Sequence, residues 1–282
     1  MKSSLAYRIF IHVAALFVAV VFLAPFAWLL ISSVSTPADL LARPLHWWPE
    51  DPSVERYARF FTASGDDVSA VYRQSLVNST VVALSTVALS MFVGVLGAYA
   101  MARLRFRYKR TVLVLFLIAY MLPPIALLIP LYLVLAQLQL LDSIVGLVLV
   151  YSSFTTPFVL WIMTNQFLAL PAELEDAARV DGCSRLGALV RIVLPVSRPG
   201  LFATMMFAFL LAWDEFLYAL IFTSTADAKT LPVAIAEFTG RYSVDFGLVA
   251  AGGVLATVPP LLLALAFQRY IVSGLAASAV KG

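Results

Sequence analysis

The chain has 282 residues, of which 62% are hydrophobic and 12% charged, and its mean hydropathy is +0.94. A water-soluble domain carries about 25% charged residues, so too few polar side chains are present to cover a core of this size in water. The composition argues against a soluble enzyme and for an integral membrane protein. With a net charge of +3, one cysteine and two histidines, the chain forms no internal disulfide and offers no metal cluster.

Six apolar stretches, at 9–31, 75–102, 111–137, 144–168, 199–222 and 247–268, each match the ~20 residues needed to cross ~30 Å of hydrocarbon. The expected fold is therefore an all-α membrane protein of six transmembrane helices, forming one transmembrane domain over residues 1–282. The first stretch exceeds the 7 to 15 apolar residues of a secretory leader and is expected to remain as a helix. Between the first two spans, His46, Trp47 and Trp48 suit an interfacial belt, and VERYARFF at 54–61 is amphipathic enough to lie along a membrane surface.

In the second span Ser79, Ala83, Thr86, Ser90, Gly94 and Gly97 fall on one helical face. Such faces let helices pack closely; the other reading is a pore-facing stripe that includes Asn78. The basic run RLRFRYKR at 103–110 is read as a stop-transfer segment in contact with lipid headgroups, not as a nucleic-acid site. Pro123, Pro124 and Pro130 in the third span, and Pro259 and Pro260 in the sixth, are expected to bend or break their helices. Tyr151, Ser152, Ser153, Thr155 and Thr156, ahead of Pro157, form a polar band in the fourth span. That band either lines a cavity or repairs backbone hydrogen bonds freed by the proline.

Orientation follows from the basic residues. Placing both termini in the cytoplasm puts thirteen of them inside: Lys2, Arg8, Arg103, Arg105, Arg107, Lys109, Arg110, Arg179, Arg185, Arg191, Arg198, Arg269 and Lys281. Only Arg43, Arg56, Arg59, Arg73, Lys229 and Arg241 fall outside, as the positive-inside rule requires.

The fifth span carries Asp214 and Glu215, flanked by Trp213 and Phe216. A charge at mid-bilayer costs at least ~2.5 kcal/mol, so these carboxylates should face protein or water. Read as parts of one helix they lie ~22 Å from its inner end. They suit a wet pathway for sugar hydroxyls, a structural pairing with a second subunit, or a proton relay.

The inside loop, 169–198, contains LPAELEDAARVDGCSRLGALVRIVLPVSRPG at 170–200. Pro171 suits a first turn, Glu173, Glu175 and Asp176 complement the positive end of the helix dipole, and Gly182 suits the left-handed C-terminal position. A helix of about two turns is expected, then a second helical stretch at 184–193 ended by Leu194 and Pro195. Ala177 and Ala178 allow close backbone approach, and the acidic turn offers carboxylates to a basic partner. The element reads either as a dock or as an amphipathic helix resting on the membrane.

DAARVDG at 176–182, LVRIVLP at 189–195 and Pro199 resemble the EAA loop of inner-membrane permease subunits of ABC importers. Asp176 stands where the family usually has Glu, Cys183 where it has Ala, and Leu189 where Phe is common. The shorter Asp176 reaches about 1.5 Å less, which leaves Glu175 to share its contact. AWDEFLYAL at 212–220, TLPVAIAEFTGRYSVDFGLVAAG at 230–252, FQRYIVSGLAASAVKG at 267–282 and Asn78 with Ser79 narrow the resemblance to the carbohydrate-uptake branch, to its second permease of the maltose type.

The resemblance implies a coupling helix with Glu173, Glu175, Asp176, Ala177, Ala178, Asp181 and Gly182 facing an ATPase. It implies a substrate pathway at Asn78, Trp213, Asp214, Glu215 and Phe216. The implied partners are a second homologous permease, two ABC ATPase subunits that bind ATP and Mg, an extracytoplasmic solute-binding protein touching 223–246, membrane lipid, and a di- or oligosaccharide such as maltose or trehalose. The chain itself has no GxxxxGK[ST] phosphate loop and is expected to bind no cofactor and catalyse nothing. The rival readings are an ion-coupled secondary transporter using Asp214 and Glu215, an intramembrane enzyme, and a structural anchor. No Ser/His, metal-ligand or paired-Asp constellation completes an enzyme site, and the docking loop is unexplained by either of the first two.

Overall fold

The computed structural model describes residues 5–44, 47–62, 67–238 and 245–279. His46 of the aromatic belt, Arg241, Lys2 and Lys281 of the charge count, and 239–244 of the last loop lie outside the described residues. A membrane span must satisfy its own backbone hydrogen bonds, and among the described residues this is done by helices alone. They are α1 (Leu5–Val34), α2 (Pro37–Leu41), α3 (Glu55–Thr62), α4 (Asp67–Arg103), α5 (Lys109–Met121), α6 (Pro124–Gln137), α7 (Ile144–Leu168), α8 (Glu173–Val180), α9 (Arg185–Ala188), α10 (Leu194–Val196), α11 (Arg198–Trp213), α12 (Leu217–Phe222), α13 (Leu231–Glu237) and α14 (Phe246–Ala279). A π-helical turn, Leu189–Val193, joins α9 to α10.

Four of these, α1, α4, α7 and α14, are each long and apolar enough to cross a membrane. Two expected spans are not single helices. The third breaks into α5 and α6, which meet at 97°. Leu122 and Pro123 each precede a proline and take extended backbone, with ψ of 134° and 130°, the conformation favoured at that position. The fifth stops at Trp213 and restarts at Leu217. A second bent pair lies at the inside loop, where the stretch Arg185–Val196 meets α11 at 84°, and counting each bent pair as one crossing gives up to six. The sixth departs the other way, because α14 runs unbroken through Pro259 and Pro260; proline's own φ is helical, so the pair removes ladder bonds without ending the helix.

Cα proximity divides the chain into two compact units, residues 1–73 with 234–258, and residues 74–233 with 259–282. In the first, α3 is fastened by one face to neighbouring segments, with Val54 just before it and Phe61 left exposed. Arg56 Nη1 donates to the carbonyls of Ser35 at 2.6 Å and Ser33 at 3.3 Å, and Nη2 pairs with Asp245 at 3.4 Å. Phe60 is fully buried against Tyr72, ring centroids 4.1 Å apart. A Cβ at Gly247 would sit 2.3 Å from Arg56 Cζ, so a side chain there would displace the guanidinium from its present place. Trp47 lies edge-on to Trp28, and Trp47 and Trp48 are both exposed.

In the second unit the small-residue face of α4 lies against α7. A Cβ at Gly94 would come within 2.6 Å of Val159 Cγ1, and one at Gly97 within 2.9 Å of Leu160 Cδ1. Thr156 donates to Ser90 Oγ at 3.2 Å. That face is therefore a packing surface. The polar band divides: Thr156 and the back-bonded Ser153 are satisfied, with Ser153 donating to Val150 O at 2.6 Å, the hydroxyl of Tyr151 faces the Glu215 carboxylate, and those of Ser152 and Thr155 are buried without a protein hydrogen-bond partner. The two broken spans also meet, because Tyr218 of α12 donates from its hydroxyl to the carbonyl of Pro124 at 3.1 Å.

Candidate coupling and translocation site

The loop expected to dock is built as a self-terminating helix. The first turn of α8 carries Glu173, Glu175 and Asp176, favoured beside unpaired N–H groups. Its end is a Schellman motif: Cys183 N–H donates to Ala178 O at 2.9 Å and Gly182 N–H to Arg179 O at 3.1 Å. Gly182 has φ +85°, which a side chain rarely adopts. Ser184 then caps α9, accepting from Gly187 N–H at 3.1 Å. The second stretch does not end at Leu194 and Pro195. The π turn widens the helix, Leu194 N–H reaching Leu189 O, and the chain continues through α10. Widening of this kind accommodates Pro195, which brings no N–H to the ladder.

The two faces of α8 differ. Glu175 and Ala178 are buried, at 7% exposure each, whereas Glu173, Asp176, Ala177, Asp181 and Gly182 are exposed and Val180 is 87% exposed. The sequence reading of Glu175 and Ala178 as outward-facing is thus corrected. Glu175 Oε1 accepts from Arg103 Nε of α4, and Oε2 accepts from the Tyr99 hydroxyl at 2.9 Å. Arg103 also donates to Leu170 O at 3.1 Å, and Tyr99 lies 3.2 Å from Arg185 O. Leu170, Pro171, Leu174, Ile192, Val193 and Val196 line the space beside this pair. Glu175 therefore has no reach to share with Asp176, and Arg103 is not one of the headgroup contacts. Helical spacing of Glu175 and Ala178 could have flagged a common inward face; their partners on α4 had no local signal.

At the break in the fifth span, the two carboxylates part company. Glu215 turns back to cap α12, Oε1 accepting from Tyr218 N–H at 2.8 Å and Oε2 from Ala219 N–H at 3.1 Å. Those N–H groups would otherwise be orphaned by the restart. Asp214 is exposed and, with Glu215, Phe207, Leu210 and Leu211, lines an open cavity of about 340 Å³. Phe216 beside them is 39% exposed. Trp213 is not in this group: it is 3% exposed and stacks on Phe209.

Asn78 is also elsewhere. Its Nδ2 donates to Ala226 O and Lys229 O, both at 2.9 Å, and its Oδ1 accepts from Gln74 at 3.0 Å. Ser79 Oγ accepts from Leu231 N–H at 2.7 Å. Both residues thus fasten the segment 226–231 to α4. A third fastener was missed entirely. Asp142 Oδ1 accepts from the N–H groups of Ser224 at 2.8 Å and Thr225 at 3.1 Å, and its own N–H donates to Phe222 O. Burial pushes the Asp142 carboxyl up, but hydrogen bonds from Ser224 and Thr225 outweigh it and hold the group below its ordinary value. Among the described residues, no group of three His, Cys, Asp or Glu is arranged to hold a metal ion.

Residues 70–276 match the family described as binding-protein-dependent transport system inner membrane component. The chain belongs to that family. It is a membrane-spanning permease, a non-catalytic component of ABC importers. The permease is 37% identical, over 258 residues, to the sulfoquinovosyl glycerol transport system permease of Agrobacterium fabrum, covering 92% of this chain and 88% of that protein. It is 35% identical to the trehalose/maltose transport system permease of Thermococcus litoralis over the whole of both chains. Its fold matches a bacterial ABC transporter involved in the import of the acidic polysaccharide alginate, with a TM-score of 0.76 over 96% of this permease and 99% of that chain, at 23% identity.

Proposed function

We propose that this permease is one half of the translocation pathway of an ATP-driven carbohydrate importer, with all 282 residues forming a single transmembrane domain and both termini in the cytoplasm. The observation that carries the reading is the division of α8, with Glu175 locked inward and Asp176, Ala177 and Val180 presented outward. An exposed face on a helix rigidly mounted to a span is what mechanical coupling requires. Two ATPase subunits binding ATP and Mg supply the energy, and a second permease completes the pore. A solute-binding protein docks at 223–246 and delivers a di- or oligosaccharide of the kind that relatives are named for. Moving a pore from 99:1 to 1:99 takes ~5.5 kcal/mol of differential binding, within the scale of nucleotide-driven closure.

Asp214, with Glu215 and Phe216 beside it, is the pathway element we assign, on the support of the open cavity they share. Both oxygens of Glu215 cap α12, which gives that carboxylate a structural task and leaves Asp214 alone to an ion-coupled carrier. The test is Asp176→Lys in the assembled transporter. Asp176 is 72% exposed, so the subunits should still copurify while uptake of labelled sugar is abolished. Normal uptake in that variant refutes the docking role.

A further inference from the structure

Where α4, α5 and α7 come together at the basic run, they line an open cavity of about 370 Å³. Its rim carries Arg107, Lys109 and Arg110, and its walls are Met101 of α4, Leu113 of α5 and Leu168 of α7. Among the described residues, no carboxylate pairs with any of the three cations, and the first turn of α5 contains no acidic residue. Arg103, four residues before Arg107, is held part-buried on Glu175, so the run divides into one structural cation and a cluster with no acidic partner among the described residues, Arg107 lying over the Tyr108 ring at 5.5 Å. Three cations above an aliphatic groove are complementary to a molecule with an anionic head and an apolar tail.

We propose that this cavity is a binding site for one anionic glycerophospholipid, its phosphate held by Arg107, Lys109 and Arg110 and its acyl chain seated against Met101, Leu113 and Leu168. A basic pocket between spans at the membrane edge is the setting in which anionic headgroups are recognised. The apolar wall selects a lipid over a free anion, because phosphate alone gains nothing from Leu113 or Leu168. The inference rests on reading α5 as part of a membrane crossing, and it is independent of the sugar and of how α8 docks.

The experiment is native mass spectrometry of the assembled transporter with dioleoyl phosphatidylglycerol or dioleoyl phosphatidylcholine. The expected result is retention of phosphatidylglycerol over phosphatidylcholine, weakened roughly 100-fold in Arg107→Gln/Lys109→Gln/Arg110→Gln, since each cation at a membrane surface contributes about fivefold. Arg105→Gln/Arg198→Gln/Arg269→Gln removes the same charge elsewhere and should retain the lipid. Should the triple variant fail to assemble, Arg110→Gln alone is expected to weaken retention about fivefold. Equal retention of the two lipids, equal loss in both triple variants, displacement by millimolar inorganic phosphate, or a cross-link from the cavity to a partner's acidic segment would each overturn the proposal. Uptake is not the readout, so a negative result leaves the transport reading standing.

Discussion

Arg103, in the last turn of α4, donates from Nε to the carboxylate of Glu175 in the first turn of α8, and the pair is largely shielded from solvent. Side-chain exposures of 14% and 9% leave each charge little water to fall back on. The contact makes α8 an extension of a membrane helix, so displacement of one displaces the other.

Removing one partner of a buried pair leaves an unpaired charge, at a cost of about 3 kcal/mol. Glu175→Ala is therefore expected to lower the thermal midpoint of the assembled transporter and to uncouple ATP hydrolysis from uptake. The exchange Arg103→Glu with Glu175→Arg should recover part of both losses. An exchange no better than the single variant would show that the pair does not transmit position.

The α4–α7 seam gives a graded test. At Gly94 an added methyl meets Val159, a β-branched side chain held stiff near its own backbone, while at Gly97 it meets the far end of the flexible Leu160. Gly94→Ala should cost on the order of 1–3 kcal/mol, and Gly97→Ala clearly less, read as shifts in thermal unfolding in detergent. Equal shifts would mean the helices do not meet in this register.

Asp214 and Glu215, adjacent in sequence, should separate in function. Glu215→Ala strips both acceptors from the start of α12, a loss of about 2 kcal/mol for two hydrogen bonds, and should reduce the amount of folded permease. Asp214→Asn leaves the caps intact and should impair sugar uptake with yield unchanged. If Asp214→Asn transports normally, the pathway assignment fails.

Asp142 sets a pH limit on the segment it holds. Its folded carboxyl lies below the ordinary 3.8, so the folded chain binds this proton less tightly than the unfolded chain does. The clamp on Ser224 and Thr225 is then fully present above about pH 5 and lost only as pH falls through the folded value. Hydrogen exchange corrected for intrinsic rate should show amides 224 and 225 protected down to pH 4 in the native chain and unprotected at all pH in Asp142→Ala. Loss of protection between pH 6 and 5 would contradict the sign of the shift.

The sequence alone determined the membrane class and the helix–turn–helix of 173–193 with Gly182 at its left-handed end, because those depend on local transfer energies and backbone preferences, while the six apolar stretches correspond to four single helices and two bent pairs. The prolines at 123 and 124 signalled a break for the same local reason. Nothing local shows that Glu175 turns inward, that Asn78 reaches carbonyls 148 and 151 residues away, or that Asp142 holds Ser224. Nor does the sequence reveal that Glu215 is used to restart a helix while Asp214 stays open. A hydrogen-bonding side chain takes whichever partner the packed backbone leaves unsatisfied, and only assembly of distant segments determines which groups those are.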